Sequence, residues 1–150
     1  MDQNIRLLRR ITVTILCVCL LVSLSACGGD WSYELLPGDY EIWRVHKYSI
    51  VLGRVSEYGL SHVVETYVYA FCYNQRFIGI HGLDTGDDDL SVDVDIRKKY
   101  KDHAEYFLVD TQTHEVYGPM TLESYNEMLM SMEIAMGDWI ATYPMPKDAV

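Results

Sequence analysis

The chain has 150 residues and a formal net charge of −10, because 22 Asp and Glu outweigh 12 Lys and Arg. An acidic surface repels nucleic acid and anionic lipid headgroups, so we expect no nucleic-acid partner and no membrane attachment through a basic patch. The excess of acids also favours solubility, which is the simpler explanation of this charge.

The first 26 residues have the order of a secretory signal peptide. Three arginines form a positive start, residues 11–24 are predominantly apolar, and the small residues Ser25 and Ala26 follow. A helix that spans a bilayer needs about 20 apolar residues, so this shorter stretch favours a cleaved signal over a permanent membrane anchor. We therefore predict that residues 1–26 are removed.

The segment Leu24-Ser25-Ala26-Cys27 resembles the lipobox of bacterial lipoproteins, in which the cysteine is acylated and the chain is cut before it. Cys17 and Cys19 follow large residues and do not match. The resemblance implies lipidation at Cys27 and an extracytoplasmic location at the cell membrane. Stable anchoring generally takes two acyl chains, which a diacylglyceryl cysteine supplies. Glycines then begin a predicted flexible tether over residues 27–32.

The rest of the chain has the size of one domain, which we predict over residues 33–150. Three of the basic and one of the acidic residues precede Cys27, so residues 27–150 have a net charge of −12. Cys72 is the only cysteine after Cys27, which rules out a disulfide within the domain. Its apolar neighbours predict a small buried hydrophobic residue rather than a catalytic thiol.

Residues 33–80 predict strands joined by short turns. A strand, a turn at Pro37 and Gly38, and a second strand come first, with a break near Lys47. The segment at 63–73 predicts a central strand with both faces covered, the odd positions 67–73 on one face and Val68, Ala70 and Cys72 on the other. A loop at 74–76 then leads to a return strand.

The second half predicts an exposed acidic loop at 81–95, a hairpin at 105–119 with its turn at 110–114, and a helix capped by Thr121. The helix is predicted to end at Gly137 or at the later prolines. Its apolar residues share one face at helical spacing: Leu122, Tyr125, Met128, Leu129, Met132 and Met136. The predicted class is α+β, an antiparallel sheet of hairpins with one C-terminal amphipathic helix packed on it.

Three segments, residues 33–45, 106–128 and 138–144, are similar to small bacterial lipoproteins of uncharacterised function. This resemblance supports the predicted domain layout. It implies no catalytic residue and no mechanism.

Three groups of residues are candidate sites. In the acidic loop, carboxylates suit calcium but depart from the EF-hand order, so a solvated loop is the favoured interpretation; the calcium candidates are Asp84, Asp87, Asp88 and Asp89. The histidines lack zinc-motif spacing and are predicted to be structural: His46, His62, His81, His103 and His114. Four aromatic residues near the tether either pack in the core or form an exposed binding platform: Trp31, Tyr33, Tyr40 and Trp43.

The favoured function is a non-enzymatic binding domain, held at the membrane by lipid and contacting an envelope protein or ligand, with no cofactor. We find no Gly-x-Ser-x-Gly elbow, phosphate loop or dinucleotide fingerprint in the sequence. The alternative is a small envelope hydrolase that acts on a peptide or glycan through residues distant in sequence.

Overall fold

The computed structural model describes residues 31–46, 49–64, 66–86, 95–143, 146, 148 and 149. The predicted signal peptide, Cys27 and the calcium candidates Asp87, Asp88 and Asp89 lie outside the described residues. No helix within these ranges is long and apolar enough to cross a membrane.

The described strands form two antiparallel sheets rather than one. The first contains β1 (Trp31–Tyr33), β2 (Tyr40–His46), β3 (Ser49–Ser56) and β4 (Gly59–His62), in the order β1-β2-β3-β4. The second contains β5 (Tyr67–Tyr73), β6 (Phe77–Leu83), β7 (Ala104–Asp110), β8 (Val116–Met120) and β9 (Ile140–Ala141), in the order β8-β7-β6-β5-β9. The helices within the described ranges are α1 (Ile96–Lys99) and α2 (Leu122–Ser131). This agrees in outline with the predicted α+β class.

The main core contains apolar side chains from both sheets. Ile42 and Leu52 are paired across β2 and β3 and are fully buried, and Ile78 and Ile80 of β6 belong to the same cluster. Because side chains alternate between the faces of a strand, each sheet has one face on this core and an opposite, outer face.

The predicted tether extends too far, because Trp31 and Ser32 belong to β1. Trp31 pairs with Arg44 of β2, and its indole is 5% exposed. Burial of this ring provides the apolar contact that holds the first strand on the sheet.

Strand β5 is covered on both faces as predicted, but its odd and even alternation is wrong at one point. Phe71 lies in the main core and its neighbour Cys72 contacts Tyr125, so these two side chains do point to opposite faces. Val68, however, lies in the same cluster as Phe71. A register shift between Val68 and Ala70 accounts for this, since a bulge moves the following residues to the other face.

Residues 81–83, predicted as part of the acidic loop, continue β6 instead. Leu83 is 2% exposed and lies in the main core. Glycine is uncommon inside strands, so Gly82 makes a loop the expected structure here. In the fold, the missing side chain allows Thr66 to approach closely, because a Cβ atom at Gly82 would lie 2.5 Å from Thr66 Oγ1.

The predicted cap of α2 is confirmed, because the Thr121 side chain accepts a hydrogen bond from the backbone N–H of Ser124. The helix ends at Ser131, six residues before Gly137, the earlier of the two predicted stops. Glu133 has a φ of +55° in the turn that follows, which interrupts the helical backbone. Tyr125 is the buried residue of the predicted apolar stripe, whereas Leu122 and Met132 are 48% and 41% exposed.

Candidate functional site

Five aromatic side chains of the second sheet and its neighbouring segments form a network of ring contacts, and we call them the aromatic cluster. They come from β5, β6, β7, α2 and the segment before β9: Tyr69, His81, Tyr106, Tyr125 and Trp139. The sheet register brings two of them together directly, because His81 and Tyr106 are opposite each other on β6 and β7.

His81 lies at the centre of the aromatic cluster. Its ring stacks on Tyr106 with centroids 4.7 Å apart and planes 19° apart. The centroid of Tyr69 is 4.9 Å from that of His81 on a tilted ring, and Trp139 meets His81 edge-on at 6.3 Å. These separations lie within the range of favourable aromatic pairs, so the rings hold one another in place.

Trp139 is the accessible member of the aromatic cluster and Tyr125 is the buried one. The indole of Trp139 is 43% exposed, whereas Tyr125 is 2% exposed. Their ring centroids are 6.0 Å apart, and Tyr106 contacts both rings. Trp139 is therefore an exposed ring supported from below by buried or half-buried aromatic side chains.

Close packing beneath Tyr125 positions that ring. Its hydroxyl lies 3.8 Å from the Cys72 sulfur. Gly79 leaves room for both groups, because a Cβ atom at this position would lie 2.7 Å from Cys72 Sγ and closer still to Tyr125 Oη. Tyr125 also belongs to a small apolar cluster with Phe77 and Leu108.

Burial sets the protonation states in and below the aromatic cluster. It lowers the pKa of His81, because the charged imidazolium loses water contacts, so the ring is neutral at pH 7. Burial raises the pKa of Tyr106 and Tyr125, and that of the Cys72 thiol to about 11. These four groups are uncharged at neutral pH and present ring faces and weakly polar atoms rather than fixed charges.

An exposed ring on a rigid aromatic support is suited to binding. Aromatic faces contact apolar and C–H groups over a large area, and they attract cations through the ring quadrupole. Tyr and Trp are also enriched among the residues that contribute most to protein interfaces.

The sequence leaves two roles open for the four aromatic residues near the tether; core packing is right for three of them, and the exposed platform is wrong for these three. Trp31, Tyr33 and Tyr40 are 5%, 2% and 2% exposed and pack in the main core between the sheets. Their large apolar rings contribute more to stability when buried there than in contact with water. Trp43 differs, since it is 36% exposed on the outer face of the first sheet.

The calcium prediction rests largely on residues outside the described ranges. Asp84 is described and exposed, and its carboxylate accepts a hydrogen bond from the Gly86 backbone N–H at 2.8 Å. Asp95 caps α1 through Lys98 N–H. Among the described residues, no three His, Cys, Asp or Glu side chains are grouped as metal ligands.

Sequence reasoning missed the aromatic cluster because it assigned His81 to a loop. The sequence feature that could have revealed the aromatic cluster is the alternation of side chains between the two faces of β6 and β7. Phe77, Gly79 and His81 share the parity of one strand face, and Tyr106 and Leu108 share that of its neighbour.

Comparison with curated proteins finds no match to the chain, and neither does comparison with solved structures. The family model described as "Protein of unknown function (DUF3997)" matches residues 37–136. That range runs from the turn before β2 to the residues after α2, and it contains most of both sheets. The chain therefore belongs to the DUF3997 family.

Proposed function

We propose that this protein is an extracytoplasmic lipoprotein, anchored to the cell membrane through Cys27, whose domain binds an envelope partner and is not an enzyme. The observation that supports the binding role is the aromatic cluster, in which Trp139 is 43% exposed and lies against rings held by the sheet. A rigid aromatic surface loses little side-chain freedom when it binds, which favours affinity.

We also propose that α2 packs on the outer face of the second sheet, where it holds Tyr125 beneath Trp139. The burial of Tyr125 beside Phe77 and Leu108 supports this arrangement, as does the contact of its hydroxyl with Cys72. Fixing Tyr125 limits how far the Trp139 ring is able to move.

Charge narrows the chemistry of the partner. The net charge of −12 over residues 27–150 opposes anionic ligands, while aromatic faces attract cations. We therefore propose that the partner presents apolar and neutral or cationic groups to the aromatic cluster, as a protein or peptide surface of the envelope does.

The lipobox resemblance supports the anchor, and one substitution tests it. Cells that express the full chain are fed a fatty-acid analogue, and the parent is compared with Cys27→Ser. We expect the label on the parent alone and an uncut precursor for the variant. Equal labelling of both proteins contradicts the assignment of Cys27.

The binding role is tested by photo-crosslinking in intact cells. A photoreactive phenylalanine replaces Trp139 in one variant and Tyr58 in a matched control, since Tyr58 is 92% exposed but lies in the β3–β4 turn of the first sheet. We expect one protein adduct from position 139 that is absent from position 58. Equal adducts from both positions, or turnover of a peptide or glycan by the purified protein, contradict the proposal.

A further inference from the structure

The outer face of the first sheet carries a second apolar surface, distinct from the aromatic cluster. Trp43 and Val51 are cross-strand partners on β2 and β3, as are Val55 and Leu60 on β3 and β4. Trp43, Val51 and Val55 alternate along their strands with Ile42 and Leu52, which face the core, so they lie on the outer face. Leu60 is opposite Val55 and shares that face. We call this surface the outer apolar face.

The outer apolar face is partly open to solvent. Trp43 and Val55 are each 36% exposed, whereas Val51, the partner of Trp43, is 7% exposed. Leu60 lies flat across the sheet at Gly53, where a Cβ atom would come within 2.6 Å of Leu60 Cγ. Exposed apolar side chains grouped on one sheet face are typical of a contact surface. Glu41 lies beside them, and its carboxylate accepts a hydrogen bond from the Trp43 indole N–H.

The position of Cys27 in the chain identifies what that contact is. Only three residues separate Cys27 from Trp31, and Trp31 pairs with Arg44, the residue next to Trp43. An extended chain advances at most about 3.6 Å per residue, so the Cα atoms of Cys27 and Trp31 are no more than about 14 Å apart. The proposed acyl chains on Cys27 would therefore keep the start of β1 close to the bilayer surface.

We propose that the outer apolar face rests on the phospholipid bilayer, with the Trp43 indole at the boundary between headgroups and acyl chains. This inference depends on the proposed lipidation of Cys27. Tryptophan favours that boundary because its ring is apolar and its N–H is polar. The anchor keeps the face at high local concentration next to lipid, so a contact too weak to recruit the free domain is sufficient.

This orientation also assigns a direction to the aromatic cluster. The two outer faces lie on opposite sides of the shared core. With the first sheet on the bilayer, Trp139 points away from it, towards partners in the envelope space.

Quenching of tryptophan fluorescence by brominated lipid tests the proposal. The lipidated protein is reconstituted into phosphatidylcholine vesicles with and without bromine on the acyl chains. Trp43→Phe is compared with Trp139→Phe, a matched control because the two indoles are similarly exposed, at 36% and 43%. We expect Trp43→Phe to lose at least half of the quenching, and Trp139→Phe to retain it. Circular dichroism verifies that both variants are folded.

Vesicle flotation separates failure of this proposal from failure of the anchor. If the parent floats with the vesicles but Trp43→Phe is quenched as strongly as the parent, the outer apolar face does not contact lipid and the proposal is wrong. The same conclusion follows if a floating parent is not quenched at all. If the parent carries no lipid and does not float, the anchor and this proposal both fail.

Discussion

Gly79→Ala is the sharpest test of whether α2 packs on the second sheet. The glycine lies on β6 under Tyr125, and an added Cβ atom would stand 2.7 Å from Cys72 Sγ and closer still to Tyr125 Oη. Atoms this close repel, so either the tyrosine or the sheet must shift. The substitution therefore reports directly on whether Tyr125 is seated over Gly79.

Two opposing effects determine how much Gly79→Ala changes the free energy of unfolding. Overpacking a dense core costs about 1–3 kcal/mol. Replacing glycine by alanine also restricts the unfolded chain, which stabilises the fold by about 0.4–1 kcal/mol. The net loss is then about 1–2 kcal/mol, a sizeable part of the roughly 5–15 kcal/mol that typically stabilises a domain.

The free energy of unfolding is measured by urea denaturation, on a chain that lacks residues 1–26 and carries Cys27→Ser. With a slope of about 2 kcal/mol per molar urea, Gly79→Ala should lower the midpoint by roughly 0.5–1 M. Tyr125→Phe removes the hydroxyl and leaves Cζ at 3.3 Å from the added Cβ. In the double variant it should therefore recover part of the loss, as a coupling energy of about 0.5–1 kcal/mol.

Two results refute this reasoning. One is a Gly79→Ala midpoint equal to that of the parent, which means that no group lies close above Gly79. The other is strict additivity of Gly79→Ala and Tyr125→Phe, which means that the steric conflict does not involve the tyrosine hydroxyl.

Three further predictions concern ionisable groups. Hydrogen bonds from Arg76 at 3.1 Å and from backbone N–H groups hold the pKa of the Asp110 carboxyl well below its usual range. The ionised carboxylate therefore stabilises the fold above about pH 4, and this contribution is lost as the pH falls further. Asp110→Asn should make the urea midpoint depend less on pH in that range. Burial lowers the pKa of His81, so as the pH falls the unfolded chain binds a proton at this residue before the folded chain does. The stability of the fold should therefore decrease from about pH 7 to pH 5. If the Tm of His81→Phe changes over this range as much as that of the parent, this prediction is wrong. Burial raises the pKa of the Cys72 thiol to about 11. At pH 8 a thiol reagent should therefore modify Cys72 roughly 100-fold more slowly in the folded Cys27→Ser chain than in the same chain unfolded by urea. Equal rates in the two states would show that Cys72 is not buried.

The sequence by itself determined the local elements. The turn at Pro37 and Gly38, the loop at 74–76, the hairpin around 110–114 and the Thr121 cap all appear as predicted. Each depends on a few neighbouring residues, whose backbone preferences and short-range hydrogen bonds favour one conformation wherever the segment lies in the fold.

Only the tertiary structure decided which faces are buried. The hydroxyls of Tyr33 and Tyr73, forty positions apart, are 3.0 Å apart across the two sheets, and this packing buries rings that the sequence left open to either role. His81 joins the aromatic cluster because β6 extends past the predicted boundary and pairs it with Tyr106. Burial of a side chain depends on contacts with residues that are far away along the chain. The residues next to it in the sequence do not determine which distant surface will cover it.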